Sequence, residues 1–287
     1  MDPARSRFGS PGSGLSRSAL RALAAEHGVT PRKSLGQHFL ADANVARAIA
    51  RDAEAGPGTR FLEIGAGLGS LTVALAGTGA EVLALETDPR LVVSLDALVG
   101  GLPSVRVVRA DATRANWPAL LGDGSWRMAS NLPYHVAVPV LLDLLEHAPD
   151  VDPFVVTVQR EVGERLAAAP GTPAFGGISL KVAYRARVKV LRRLGPSVFW
   201  PEPKVASVVL RLDRRPPPVS VPAPVLFGLV DEGFSQRRKT MASALVRLGR
   251  SRTDARAVLS RAGLKSDVRA EALGLEDFAR LADAMDG

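Results

Sequence analysis

Cysteine is missing altogether from the 287 residues, which removes disulfides and thiolate metal sites from consideration. Histidine is scarce. His27, His38, His135 and His147 fall at no metal-ligand spacing, so no metal is expected. No apolar run comes near the roughly 18 residues that a membrane span requires, and the Arg-, Ser- and Gly-rich N-terminus has no apolar signal core. A cytoplasmic protein without a membrane partner is the expectation. Acidic charge is also in deficit, since 37 Lys and Arg face 29 Asp and Glu, for a net charge of +8 and a pI near 10.5. What the chain does have is 46% hydrophobic content, enough for one large core and a small second domain.

The basic excess is one-sided. Lys181 to Arg215 holds ten basic and two acidic residues, and Arg237 to Arg261 holds eight basic and one acidic. Their net charges of +8 and +7 together exceed the +8 of the whole chain, so the remainder carries about −7. A polyanionic partner such as RNA suits this distribution; Arg-rich but merely solvated helix faces are the alternative.

Met1 to about Ser16, rich in Gly, Ser, Pro and Arg, is expected to be disordered. A short helix is expected over Ser18 to Glu26, and Asp42 is placed to cap a second that carries Val45, Ile49 and Ala50. Between them His38 and Phe39 read, on their own, as packing at a helix start. The next stretch says more. Arg60 to Ile64 has a buried-strand pattern, Gly65-Ala66-Gly67-Leu68-Gly69 a tight loop, and Ser70 opens a helix through Leu71, Val73 and Leu75. Glu81 to Leu85 supplies the following strand, with Glu86 at its carboxyl end, 21 positions after Gly65. That spacing suits a carboxylate accepting hydrogen bonds from ribose hydroxyls. The loop is one residue shorter than the dinucleotide fingerprint, and Glu63 precedes it by two. A pyrophosphate disfavours a carboxylate there, whereas an aminoacyl nucleoside brings an ammonium that needs one. The pattern therefore favours S-adenosylmethionine over NAD.

Val105 to Arg109, Trp126 to Ala129 and Phe154 to Val158 continue an alternating, parallel sheet. Asp111, just past the first of these, has two readings: acceptor for an adenine amino group, or turn cap. Ser130-Asn131-Leu132-Pro133-Tyr134 lies between a strand and the apolar helical run Val136 to Leu145. Loops at that sheet edge bind ligands; a Pro-containing turn is the bland alternative.

Five motifs taken together resemble one family. Lys33 to Leu40, Glu63 to Gly69, Asn131 to Tyr134, Phe199 to Val205 and Phe234 to Thr240 are similar to segments of the ribosomal RNA adenine dimethyltransferases, and the likeness runs from about Pro31 to the chain end. Gln236-Arg237-Arg238-Lys239-Thr240 brings it nearest the KsgA/RsmA group, which dimethylates two adjacent adenosines near the 3′ end of small-subunit (16S) rRNA. The resemblance implies an α/β, Rossmann-like S-adenosylmethionine-dependent methyltransferase sheet with an antiparallel last strand, Val205 to Leu212, and a small all-helical C-terminal domain. It implies a methyltransferase domain over 17–215, a Pro-rich linker over 216–222 and an RNA-contacting domain over 223–287, in a monomer that acts on 16S rRNA or the immature 30S subunit. Cofactor contacts are implied at His38 and Leu40 in a covering loop, and at Glu63, Gly65, Gly67, Glu86, Asp111 and Asn131. Two positions depart from the family pattern: His135, where Asn is more usual, and Gly177, where Arg is often found.

The chemistry accounts for the residue types. An adenine exocyclic amine is a poor nucleophile because its lone pair is delocalised into the ring. The Asn131 oxygen and the Leu132 carbonyl can accept both amine hydrogens and favour a pyramidal nitrogen, while Pro133 stiffens the backbone presenting that carbonyl. Tyr134 can stack on an extruded base, with Phe199 the candidate for its other face. No strong general base is required. Lys33, Lys204, Arg211, Arg214, Arg237, Arg238 and Lys239 are the expected phosphate contacts, the last three at the start of a helix running through Met241, Leu245 and Leu248. Further helices are expected over Thr253 to Ala262 and Glu276 to Met285. Two rivals remain. One is a 23S rRNA dimethyltransferase of the macrolide-resistance type, which ends in a different helical domain. The other is a non-catalytic RNA-binding assembly or transcription factor on the same fold, against which the intact 65–69 and 131–134 motifs stand.

Overall fold

The structure is a computed structural model and describes residues 14–32, 36–236 and 238–286. Residues 1–13 of the tail expected to be disordered to about Ser16, and the expected RNA contacts Lys33 and Arg237, lie outside the described residues; the end of that tail is instead ordered, with Leu15 buried and Ser16 capping the helix Arg17–Glu26 by accepting from the Ala19 amide at 3.2 Å. The chain forms two compact units, one running to Gly163 and taking in Lys189–Asp213, the other made of Glu164–Val188 and Arg214–Gly287.

The first unit is organised by its sheet. β2 (Arg60–Ile64), β3 (Glu81–Glu86), β4 (Val105–Arg109), β5 (Trp126–Asn131) and β6 (Val151–Gln159) are joined by parallel pairings, and β9 (Ser207–Arg214) runs antiparallel to β6. With β7 (Ala186–Leu194) the strand order is β4-β3-β2-β5-β6-β9-β7. The middle strands are apolar on both faces because helices cover both; Leu62, Leu83, Met128 and Val156 are all fully buried. Order reverses between β2 and β5. Chain leaving β2 turns to one side and chain leaving β5 to the other, which opens a crevice at their carboxyl ends. The glycine loop and Asn131 stand at that switch point.

A second, two-stranded sheet pairs β1 (Phe39–Leu40) with β8 (Phe199–Trp200), setting Phe39 opposite Trp200 and Leu40 opposite Phe199. Asp42 caps the helix Ala43–Asp52 as expected, accepting from the Asn44 and Val45 amides at 2.8 and 3.2 Å.

Two further expectations need correction, and one strand was missed. The domain boundary does not fall simply at Arg215, because Phe175, Leu180 and Tyr184 share a buried core with Leu226, Val230, Leu245, Leu259 and Phe278 of the second unit. The helix expected from Arg237 starts only at Met241: Thr240 is its N-cap, accepting from the Ser243 amide, and Arg238 and Lys239 lie in the turn before it. β7 was not anticipated at all. Gly177 opens the helix Gly177–Arg185 so close to the helix Ala223–Ser235 that an added Cβ would lie 3.2 Å from Val230 Cγ1, which leaves little room for an arginine. Among the described residues no helix is long and apolar enough to cross a membrane, and no cluster of His, Asp and Glu could hold a metal.

Candidate active site

The crevice is a cavity of about 620 Å³ walled by the glycine loop, the turns after β3 and β4, the Asn131–Val136 loop and residues 36–39. The loop is built on backbone conformations that favour glycine, with φ of +72° at Gly65, +59° at Gly67 and +82° at Gly69. Close approach matters as much. A Cβ on Gly65 would lie 2.9 Å from Pro133 Cδ and one on Gly67 2.8 Å from Phe39 Cδ1, so bare glycines let the loop touch both flanking segments.

Glu86 sits at the end of β3, buried, accepting from the backbone amides of Gly67 (2.9 Å), Thr87 (2.7 Å) and Asp88 (3.0 Å). Burial raises its pKa, and the three amides only partly oppose that. They occupy three of about four acceptor positions on a carboxylate, which leaves capacity for a hydroxyl. Asp88, not anticipated as a site residue, lines the same wall; the Arg90 guanidinium bonded to both its oxygens holds its carboxyl down at about 2. Asp-Pro following the strand-end acid is a legible helix start, and that signal would have pointed to it. Asp111 fulfils the cap reading, closing a 3₁₀ turn and accepting from Thr113 N and Oγ1 at 2.9 and 2.7 Å, and it also lines the cavity, as the adenine reading requires of it.

Asn131 closes β5 with Leu132 to His135 following it into the wall. Its Nδ2 donates to the His38 carbonyl at 2.9 Å. A carbonyl can only accept, so the amide orientation is settled and Oδ1 is left as the acceptor; among the described residues that buried oxygen has no hydrogen-bond partner. The Leu132 amide donates to Thr157 O at 3.1 Å, which anchors the loop to β6. Tyr134 is half-buried, its hydroxyl 3.0 Å from Ser207 Oγ and its ring stacked on His38 with centroids 5.5 Å apart. Burial pushes its phenol pKa up.

Three predicted residues stand elsewhere. Phe199 is fully buried, paired with Leu40 across the small sheet and packed in the core, so it does not offer a second stacking face. Leu40 and Glu63 line a separate cavity of about 20 Å³, whose wall also includes Gly65, Ser70 and Asn131. Burial, reinforced by the nearby Glu86 charge and opposed by Thr72, pushes the Glu63 carboxyl up to about 8 from an ordinary 4.5. A carboxyl whose folded pKa is raised contributes stability below its unfolded value and loses it as pH climbs through the folded one. Between pH 4.5 and about 8 the wild type should therefore lose thermal stability relative to Glu63→Gln, as melting curves across that window will register. Parallel profiles would contradict the assignment.

Of the expected phosphate contacts, Lys204, Arg238 and Lys239 are exposed. Arg211 is half-buried and bonded to Glu54 at 2.7 Å and Asp213 at 2.8 Å, an engagement its sequence neighbourhood did not signal. Arg214 ends β9.

Comparison with known proteins agrees with this geometry. The sequence model of the family described as "Ribosomal RNA adenine dimethylase" matches residues 28–286. The "Ribosomal RNA small subunit methyltransferase A" of Thermobifida fusca is 43% identical over 275 residues, 94% of this chain and 95% of that protein. The protein of the same name from Moorella thermoacetica is 39% identical over 271 residues, 91% of this chain and 94% of its own length. Among solved structures, the 23S rRNA methyltransferase ErmE has a TM-score of 0.65 at 25% identity, covering 87% of this chain and all of that one (100%). A dimethyladenosine transferase from Plasmodium falciparum reaches 0.71 at 23% identity, over 85% and 96% of the two chains, a likeness of fold. A switch-point cavity with a glycine loop on one wall and Asn-Leu-Pro-Tyr on the other, in a chain matched almost from end to end, places the protein in the ribosomal RNA adenine dimethylase family.

Proposed function

We propose that the protein uses S-adenosylmethionine to dimethylate the exocyclic amines of two adjacent adenosines near the 3′ end of 16S rRNA in the immature small ribosomal subunit. The observation that carries the chemistry is the fixed amide of Asn131, whose nitrogen is held by His38 and whose oxygen is left without a partner among the described residues. A buried acceptor in that condition costs about 1–3 kcal/mol, and an amine hydrogen of an incoming adenine relieves it.

The cavity fits an aminoacyl nucleoside. Gly65 and Gly67, bare of Cβ, let the loop pack against Pro133 and Phe39 to form one wall, Glu86 accepts from ribose hydroxyls and Asp111 from the adenine amino group, while Glu63, beside the separate small cavity with its carboxyl raised to about 8, is mostly neutral at pH 7 and is not given the ammonium end. Bound there, S-adenosylmethionine supplies an electrophilic methyl group on a sulfonium centre. The chain's own residues prepare the nucleophile. Asn131 Oδ1 and the Leu132 carbonyl accept the two amine hydrogens, which draws the nitrogen lone pair out of the ring and aims it, and Tyr134 stacks on the target base with the ring face turned away from His38. Holding the base at that angle is the main contribution, and no side chain has to act as a strong base.

The choice of the small subunit is supported by relatives of that name at 39–43% identity over nearly their whole length, against 25% for the 23S enzyme. Incubating the protein with labelled donor and purified subunits tests it: dimethyladenosine should form in 30S particles and not in 50S particles, and the reverse would sink the assignment. Lys204, Arg238 and Lys239 position the RNA through phosphates. Three such contacts correspond to a slope of about −2 to −3 in log affinity against log salt, and a titration that gives a flat response would contradict their role.

A further inference from the structure

His38 meets both halves of the base-binding site at once. Its carbonyl accepts the Asn131 amide at 2.9 Å, and its ring stacks on Tyr134 at 5.5 Å with the planes 29° apart. Its Nδ1 lies 2.7 Å from the Pro201 carbonyl, which can only accept, so Nδ1 carries the proton and donates. Backbone and ring are held separately. The backbone continues into β1, where Phe39 pairs with Trp200, and the ring is tied to the residue that follows β8. The helix Arg17–Glu26 steadies that bracket, with Arg21 over the Trp200 ring at 5.8 Å, Arg17 bonded to the Ser197 carbonyl and Arg17 3.6 Å from Glu202.

We infer that His38 is a positioning residue: its carbonyl selects the Asn131 orientation that leaves Oδ1 as acceptor, and its ring, pinned by Pro201, sets the tilt of Tyr134. The two groups that must meet one adenine are thereby held in a single register by one residue outside their own loop. This rests on the proposed reaction for its purpose, but the coupling itself belongs to the folded chain. A displacement of about 1 Å at such a site costs roughly a hundredfold in rate, so a residue that removes that freedom has a measurable effect without touching the reacting atoms.

The chain has only two tyrosines, Tyr134 and Tyr184, so 3-fluorotyrosine labelling gives two resolvable ¹⁹F resonances, assigned with Tyr134→Phe. In His38→Ala and His38→Asn the Tyr134 resonance should move or broaden while Tyr184 stays fixed; His38→Phe, which keeps a ring, should stay nearest the wild type and keeps the test open should His38→Ala not fold. In 30S methylation, kcat should fall about tenfold or more in His38→Ala, clearly more than whatever cofactor affinity is lost with a side chain that lines the cavity, and His38→Phe should retain more turnover than His38→Asn. An unmoved Tyr134 resonance overturns the inference, as does a loss of cofactor affinity that matches the loss of turnover, which would make His38 a cofactor contact. If the wild type methylates no ribosomal RNA, the proposed function fails, and the fluorine resonances still decide the coupling.

Discussion

Asn131→Ala should lower turnover by about 10²–10³-fold and leave cofactor affinity within a few-fold of wild type, the loss typical when one fixed polar group that stabilises a transition state is removed. The asymmetry follows from position. Asn131 is the last residue of β5, and the groups assigned to ribose and adenine stand at the ends of β3 and β4. Removing the amide leaves that side of the cavity intact and deprives the amine of one acceptor. Asn131→Asp makes the sharper comparison. It retains an oxygen for the substrate but sets a carboxylate oxygen against the His38 carbonyl where a 2.9 Å donor stood, so it loses the fixed orientation at a cost of about 1–3 kcal/mol. Single-turnover methylation beside calorimetric cofactor binding separates the two quantities, and an Asn131→Ala enzyme with near-normal turnover would remove the amide from the mechanism.

Gly65→Ala should do the opposite and damage both functions together. Alanine at φ +72° costs about 1–2 kcal/mol, and its Cβ, 2.9 Å from Pro133 Cδ, forces a ring that is itself part of the catalytic loop to shift, at a further 1–3 kcal/mol or so. A melting temperature lower by about 5–15 °C follows for a unit of this size. Cofactor affinity and turnover should each fall at least about tenfold, because the loop that cradles one substrate leans on the loop that holds the other. The thermal shift and the two binding measurements check this directly. A variant with normal cofactor affinity and turnover would mean that the contact between the loops carries no functional load.

Most of the nucleotide-binding half is legible in the residues because its strands are short apolar runs punctuated by glycine and acid. Arg60–Ile64, the three loop glycines and Glu86 announce strand, turn, helix, strand and carboxylate in order, and the structure places them so. Residues 186–194 were opaque for a physical reason. An edge strand carrying Arg187, Lys189, Arg192 and Arg193 shows water a charged side, and its short apolar alternation is submerged in that charge. The ladder of β1 and β8 is two residues long on each side, too short to display any period. Phe199 illustrates another limit. Its motif marks it as close to the site, but an aromatic ring serves a core as readily as a base, and only the pairing with Leu40 decides for the core. The helix Gly177–Arg185 has an apolar face whose partner the local pattern cannot name; Val230 and Leu226, some fifty residues on, supply it. The helix start at Thr240, in contrast, was missed although its signal is there, since a threonine before Met241 with Ser243 three residues on is an ordinary cap.

The most direct measurement is a structure of the protein with S-adenosylhomocysteine and an adenine nucleotide in the large cavity. The adenine N6 should lie within about 3.2 Å of both Asn131 Oδ1 and the Leu132 carbonyl, with the base against Tyr134 on the side away from His38. A base bound with its N6 toward any other acceptor, or with the Asn131 amide nitrogen turned to meet it, would contradict the account.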